Sequence, residues 1–562
     1  MKQTMSVVNL PNGDTIEIVI TSKEHELLYV FKNSDGVKYG EYRNGIPATL
    51  TNNCNIAAQI KQTIDPDREF KPQNLNKKFN DVKQILQLKY ETLMLELQEK
   101  QEAEIQDAKQ KHQQLLDKAK MKLQSVDQPL IYIGSLVDWI TAGERNNIIY
   151  AFTVYAGQVI IGNPVSVIAL GEAGSGKSHI QESAMSLLPK GAVVNEKKIT
   201  EAALFNRAKK DKYFYDGKIV NYGDMGGASD HDFMQESKNL MKELQSDGYL
   251  NKPLSVLDNE GNWTVQDLEL IGRPCLTYTT VPNHDFDEQE MSRSIFITPR
   301  MDNKKVFNRR NSALEFKHGK TYLTLKKYEK ELELVPYMLL HLKEVLYDVD
   351  IINPHVNIVI DFLNQSNFYK RDFDKFNGLL KTITALNYYN HEIIEINGSK
   401  LLLTNIADVQ LFMSLLRPYR ESISANLSPK AVDVLNDYRN HHDEWVNHAS
   451  REALEMGITT NEYFELQSLG LSKGSVRKYF YELADKGFLK ITTKVQRSNV
   501  YDLSDSDFVS IDEDLKHINE TTYTNIEYEL GSEIAELVRA DRYVEGLDIM
   551  NFDSGVDKPR WL

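Results

Sequence analysis

The chain has 562 residues, 41% of them hydrophobic and 26% charged, with a formal net charge of −15; that length predicts three or four globular domains with sizeable cores. Two distant cysteines, Cys54 and Cys275, exclude a disulfide framework and a cysteine metal site and point to a reducing, cytoplasmic setting, and no signal peptide or apolar stretch long enough to span a bilayer is found, so no membrane role is expected. The acidic balance does not exclude nucleic acid, because residues 505–562 hold fifteen Asp and Glu against five Lys and Arg, which leaves −5 of the −15 for the first 504 residues.

Residues 1–70 read as a β-rich domain. Thr15-Ile16-Glu17-Ile18-Val19-Ile20 and Leu27-Leu28-Tyr29-Val30-Phe31 alternate in the β manner, and the turn pairs Asn12-Gly13 and Asp35-Gly36 punctuate them. Residues 75–128 follow as a long helix or helical hairpin. Phe79, Val82, Leu86, Tyr90, Leu93 and Leu97 keep heptad-like spacing there, which suits either a coiled coil between subunits or a helix packed on its own chain, ended by Pro129.

Residues 130–410 read as an α/β nucleotide-binding domain with a helical continuation. Its clearest signal is Gly171-Glu172-Ala173-Gly174-Ser175-Gly176-Lys177-Ser178, which fits the phosphate-loop pattern G-x-x-x-x-G-K-[ST]. An apolar strand precedes it (Val165-Ser166-Val167-Ile168-Ala169-Leu170) and a helix follows, ended by Pro189-Lys190-Gly191. Glycines let backbone N–H groups close around phosphate oxygens, and the helix start adds partial positive charge. Lys177 would reach the β- and γ-phosphates of ATP, and the Ser178 hydroxyl would ligate Mg²⁺. A second strand, Lys218 to Gly223, runs into Asp224, placed to hold the Mg²⁺ through water. Most hydrolysing members of this class put a Glu beside that Asp; here Met225 follows, and Asp230, Asp232 or Glu236 are left as candidate bases.

A helix through Glu236–Leu244 comes next, then a hairpin, Leu254–Leu257 against Trp263–Gln266. The strand Pro274–Val281 ends in Thr279 and Thr280, whose hydroxyls suit a γ-phosphate sensor as well as ordinary β-propensity. Ser292-Arg293-Ser294 then sets an arginine ahead of an apolar strand, where in an oligomeric ATPase it can reach the γ-phosphate held by the next subunit. Residues 425–503 form a helical linker and a winged-helix pattern. Ser472 would cap a recognition helix bearing Lys473, Ser475, Arg477 and Lys478, while Lys494 and Arg497 would lie on the wing against phosphate. Residues 504–562 read as an acidic tail, partly disordered or dependent on a partner.

Taken in order, the phosphate loop, Asp strand, helix, hairpin, polar-ended strand and Ser-Arg step resemble the AAA+ ATPases, specifically the MCM-like replicative helicases. More closely, the chain resembles replication-initiator helicases of bacterial mobile elements, such as staphylococcal cassette chromosomes and pathogenicity islands. The likeness runs from Glu144-Arg145-Asn146-Asn147-Ile148 through the loop to Arg293 and covers about 130–410. It departs from the family at Ser294, where a Phe stands in the family's Ser-Arg-Phe element, and at Met225. The resemblance implies a multidomain α/β protein with an AAA+ P-loop core, a homo-hexameric ring and DNA as partner. It also implies that the hairpin touches DNA in the ring channel and that Lys209, Lys210 and Lys212 lie in a channel insertion, although a charged surface helix explains those lysines equally well. By the same resemblance Arg371, in the helix beginning at Phe368, is a second sensor on the γ-phosphate; its residue type alone also fits a solvated arginine. The acidic tail or long helix could recruit replication proteins. The expected activity is ATP-dependent DNA unwinding or translocation in mobile-element replication. Its rivals are an ATP-switched DNA-binding initiator or loader and a signalling ATPase whose winged helix packs on its own core; Met225 favours these switch readings.

Overall fold

A computed structural model describes residues 2–9, 13–21, 26–45, 99–100, 102–172, 174–197, 199–225, 231–257, 263–281, 286, 288–299, 304–364, 371–417, 429–449, 457–485, 488–495, 498–503, 520–549 and 554–562. The heptad run 79–97, Ala173, Asp230 and Arg497 fall outside these residues. The chain forms two compact units, Met1–Gln114 and Leu115–Leu562.

In the first unit β1 (Lys2–Asn9), β2 (Thr15–Thr21), β3 (Glu26–Lys32) and β4 (Lys38–Gly45) make an antiparallel meander in sequence order. The β3–β4 turn is set by Asn33, whose Oδ1 accepts the N–H of Asp35 at 3.1 Å and of Val37 at 2.7 Å, while Gly36 takes a φ of 77°. Residues 102–114 are helical and exposed.

The second unit opens with helical residues 115–125, which bury Ala119 and Leu123. Pro129 starts the next helix rather than merely ending this one: it is the first residue of α1 (Pro129–Ile140), where its missing N–H costs nothing. α2 (Arg145–Ile161) leads to a five-stranded parallel sheet. Its strands are β5 (Ser166–Leu170), β6 (Val193–Asn195), β7 (Ile219–Asp224), β10 (Cys275–Thr280) and β11 (Ser294–Ile297), in the order β11-β5-β10-β7-β6. Alternate residues go to opposite faces. Val167, Ala169, Cys275 and Ile295 join a core with α1 and α2, whereas Ile168, Leu170, Val220 and Tyr278 join a second one on the other side. Burial on both faces explains why these strands read as continuous apolar runs. Such a central parallel sheet with helices fits a phosphate-loop NTPase core.

Around it lie α3 (Lys177–Ser186), α4 (Glu201–Ala208), α5 (His231–Asp247) and α6 (Glu288–Arg293). The hairpin β8 (Tyr249–Leu257) and β9 (Trp263–Ile271) forms its own two-stranded sheet. The helical continuation comprises α7 (Lys304–Glu315), α8 (Lys320–Leu332), α9 (Val335–Val345), α10 (Val356–Asn364), α11 (Asp372–Leu386) and α12 (Ile406–Leu416). It carries a small sheet of β12 (Val349–Ile352), β13 (Ile393–Ile396) and β14 (Ser399–Leu403).

A separate aromatic core then joins α13 (Pro429–Ala449), β15 (Ile458–Thr459), α14 (Thr460–Leu466), α15 (Lys473–Asp485), β16 (Leu489–Val495) and β17 (Ser498–Leu503). The three strands pair antiparallel in the order β15-β17-β16.

Part of the acidic tail, expected to be partly disordered or dependent on a partner, is helical and packed on the chain. α16 (Glu520–Leu530) and α17 (Ser532–Ala540) pack on Ile394, Ile396 and Leu403. A strap of residues 541–549 and 554–562 then enters the main core. Leu547, Ile549 and Trp561 are buried there, with the Trp561 ring edge-on to Trp139 at 5.3 Å. Trp139 Nε1 donates to Asp557 O at 2.6 Å and Arg145 Nη2 to Ile549 O at 2.6 Å. A few well-spaced apolar residues, not the acidic average, supply the surface buried in these segments.

Candidate nucleotide-binding site

The parallel sheet delivers β5, β7 and β10 to one edge. Gly171 N donates to Thr280 O at 3.3 Å and Met225 N to Thr279 O at 2.8 Å, and Asp224 pairs in register with Thr279. The phosphate loop, Asp224 and the two threonines therefore share the C-terminal end of the strands, where open α/β sheets bind ligands.

The loop takes its shape from its glycines. Gly174 and Gly176 have φ values of 75° and 97°, in the left-handed region, and nothing lies within 4 Å of where their Cβ atoms would be. Gly171 is crowded instead: a Cβ there would meet Ser175 Oγ at 2.5 Å and Lys177 Cγ and Pro299 Cδ at 3.3 Å. The Lys177 side chain is 6% exposed, and its ammonium donates to Gly171 O at 2.7 Å and Glu172 O at 3.4 Å. α3 starts without a side-chain cap and without an acidic residue in its first turn, leaving N–H donors for an anion.

The buried hydroxyls of Ser175, Thr279 and Thr280 find no hydrogen-bond partner among the described residues. Buried polar groups of this kind are rare in folded proteins and ask for a partner from outside the chain. Ser178, in the first helical turn, and Asp224 are both exposed at this edge. They offer two oxygen donors and no closed cage, and no cluster of three or more His, Cys, Asp or Glu exists among the described residues. That sparse set fits Mg²⁺, which keeps most of its waters and relies on phosphate oxygens.

Met225 is 5% exposed and belongs to the core under the sheet. It packs there with Val220 and Tyr222, the register irregularity around Asn221 and Gly223 having broken the two-residue alternation, so its side chain lies among apolar groups. Of the other candidate bases, Glu236 is exposed on α5 and the Asp232 side chain lies outside the description.

The arginines lie elsewhere. Arg293 and Arg371 line one cleft of about 260 Å³ with Arg273, Lys375, Asp374 and Asn163. Val165 and Arg293 directly precede β5 and β11, and Arg273 lies two residues ahead of β10, which places this cleft at the N-terminal edge of the same sheet. Strands of five or six residues separate the two edges by about 15–20 Å. The expected contact of Arg371 with a γ-phosphate thus has no counterpart at the chain's own loop; Arg371 stands with Arg293. Lys375 is largely buried, its side chain 10% exposed, held by Asp372 at 2.5 Å and donating to Ser294 O at 3.3 Å, and burial lowers its pKa against the opposing pull of Asp372. Sequence reading missed Arg273 and Lys375, because nothing local ties positions 273, 293, 371 and 375 together.

Lys209, Lys210 and Lys212 follow or end α4, next to the hairpin. Lys212 pairs with Glu269 of β9 at 3.6 Å, and Lys252 of β8 with Glu201 of α4 at 2.5 Å. The two expected channel elements pack on each other, and Val265 projects from β9 with 68% exposure.

On α15 the residues Val476, Tyr479, Phe480 and Leu483 are buried, which leaves Lys473, Arg477 and Lys478 exposed. Ser472 Oγ accepts the N–H of Ser475 at 3.2 Å, capping the helix, and the two hydroxyls lie 2.9 Å apart. Tyr481, one turn beyond Arg477, is 60% exposed on the same face and was overlooked in the sequence; its i, i+4 spacing from Arg477 was the available signal. Lys494 is exposed on β16.

No family model matches the chain, and no curated relative is found. Among solved structures it is similar to a full-length MCM homolog from Methanopyrus kandleri, at 11% identity and a TM-score of 0.31, covering 75% of this chain and 77% of that one. It is also similar to the SCCmec type IV Cch active helicase, at 11% identity and a TM-score of 0.23, covering 89% and 97%. No described helix is long and apolar enough to cross a membrane.

Proposed function

We propose that this chain is an ATP-dependent DNA helicase or translocase of the MCM-like AAA+ type, working as a hexameric ring in replication of a mobile element. The observation that carries this is the division of the site between opposite edges of one sheet. Lys177, Asp224 and the threonine hydroxyls occupy one edge, and Arg293 with Arg371 the other. A chain cannot close that gap on itself, so a complete site takes two copies.

Lys177 and the loop N–H groups hold the triphosphate, and Ser178 and Asp224 hold Mg²⁺, which neutralises charge on the phosphates. Thr279 Oγ1 donates to the γ-phosphate. Arg293 and Arg371 of the next copy stabilise the charge that develops in the transition state. The module of residues 457–503 is read as a winged helix that lays α15 in the major groove with Lys494 on phosphate; Arg497 belongs to the same wing by sequence. A switch-type initiator remains the second reading, favoured by Met225, which leaves the attacking water without an adjacent carboxylate.

Mixing tests the site. Lys177→Ala and Arg293→Ala each hydrolyse poorly alone, and together form some junctions with an intact loop facing an intact arginine. Hydrolysis in the mixture should exceed the sum of its components; simple additivity would remove the two-copy site. Displacement of a labelled strand from a fork, with ATP, separates motor from switch.

A further inference from the structure

A buried carboxylate joins the two edges. Glu290 lies on α6, three residues ahead of Arg293. Lys238 Nζ meets it at 3.0 Å and Lys242 Nζ at 3.7 Å, both from α5, and the Tyr278 hydroxyl donates to it from β10. The Lys238 ammonium also stands 4.9 Å from the centre of the Tyr278 ring. All four side chains are buried. Buried ion clusters add little stability over apolar packing of the same shape, so holding α6 in place does not by itself account for this one.

Its connections do. Tyr278 immediately precedes Thr279, on the opposite face of the same strand, so a shift of β10 when Thr279 engages a phosphate moves the phenol against Glu290. α5 follows the Asp224 strand and ends in the arginine cleft through Gln245 and Ser246. Gln245 Nε2 also donates to Ser166 Oγ at 3.0 Å, at the start of the phosphate-loop strand.

We propose that Glu290 is a positioning residue that ties the Arg293 helix to the chain's own Thr279 strand, so that nucleotide on one subunit sets the arginine it offers to the next. This rests on the two-copy site described above. Glu290→Gln keeps the size and removes the charge. The variant should bind ATP within about twofold of the parent and hydrolyse it at least about tenfold more slowly. Mixing it with Lys177→Ala should restore part of the rate, because Glu290→Gln keeps its phosphate loop and the partner supplies a well-held Arg293.

Parental hydrolysis in Glu290→Gln would overturn the proposal. So would a loss that mixing fails to relieve while the Arg293→Ala and Lys177→Ala pair recovers, since that places the defect within the subunit. If that pair also fails, the two-copy site falls and this proposal with it. Should Glu290→Gln not fold, Tyr278→Phe removes only the strand-side hydroxyl. It should give the same relievable loss, and unchanged hydrolysis in it overturns the proposal equally.

Discussion

Thr279→Val separates stability from function. Thr279 is 2% exposed, and its Oγ1 has no hydrogen-bond partner among the described residues. An unsatisfied buried hydroxyl costs about 1–3 kcal/mol, and valine keeps the shape without it. Without nucleotide the variant should therefore be more stable, by about 1–2 kcal/mol, raising the melting point of the core's unfolding transition by about 2–4 °C. With ATP and Mg²⁺ the order should narrow or reverse, because only the parent gains the bond to a charged phosphate, worth about 1.5–3 kcal/mol. Hydrolysis should fall by about 10- to 150-fold. Differential scanning fluorimetry with and without nucleotide, beside a phosphate-release assay, reads all three. A variant that melts lower than the parent without nucleotide, or hydrolyses at the parental rate, would refute the reasoning.

Trp561→Ala should cost about 3–5 kcal/mol, as for other fully buried aromatic side chains; urea unfolding showing less than about 1 kcal/mol would mean that the strap is not part of the core. Replacing Lys473, Lys478 and Lys494 together by alanine should lower the slope of log affinity for duplex DNA against log salt by about 2–3, read by fluorescence anisotropy. An unchanged slope would assign the module to a protein partner instead. Burial pushes the Asp138 carboxyl up to about 6, against the pull of Arg145 at 3.2 Å. The folded state then holds its proton more tightly than the unfolded one, so this group's stabilisation is present below about pH 4 and lost as pH rises through about 6. Unfolding free energies of Asp138→Asn should lack that fall; parallel pH curves for parent and variant would count against it.

The parts of the candidate site that reside in one segment were legible as local patterns. Eight consecutive residues specify the phosphate loop, and apolar runs ending in Asp224 or Thr279 specify strands, because both signals are local. Ser472 was legible as a cap for the same reason. The arginine cleft was not, since its four cations come from three separate elements whose proximity only the sheet order creates. Met225 could be read as a missing acid but not as a core residue, because its direction depends on which face of β7 is covered. The strap was lost in an acidic average, although Trp561, Ile549 and Leu547 stood in it; the small sheet turn at Asn397-Gly398, with φ values of 52° and 80°, was a hairpin signal left unread.

The return of the strap to α1 changes what the preceding module is. Residues 429–503 are bracketed by α12 on one side and by α16 and α17 on the other, and both flanks are anchored in the same body. The module is thus an insertion with two tethers, not an appendage on one. A load on α15 is shared between two attachment points, which restricts swivelling and raises the module's effective concentration beside the parallel-sheet core. Cutting the chain once, between α12 and α13, would leave the module still joined through its other end.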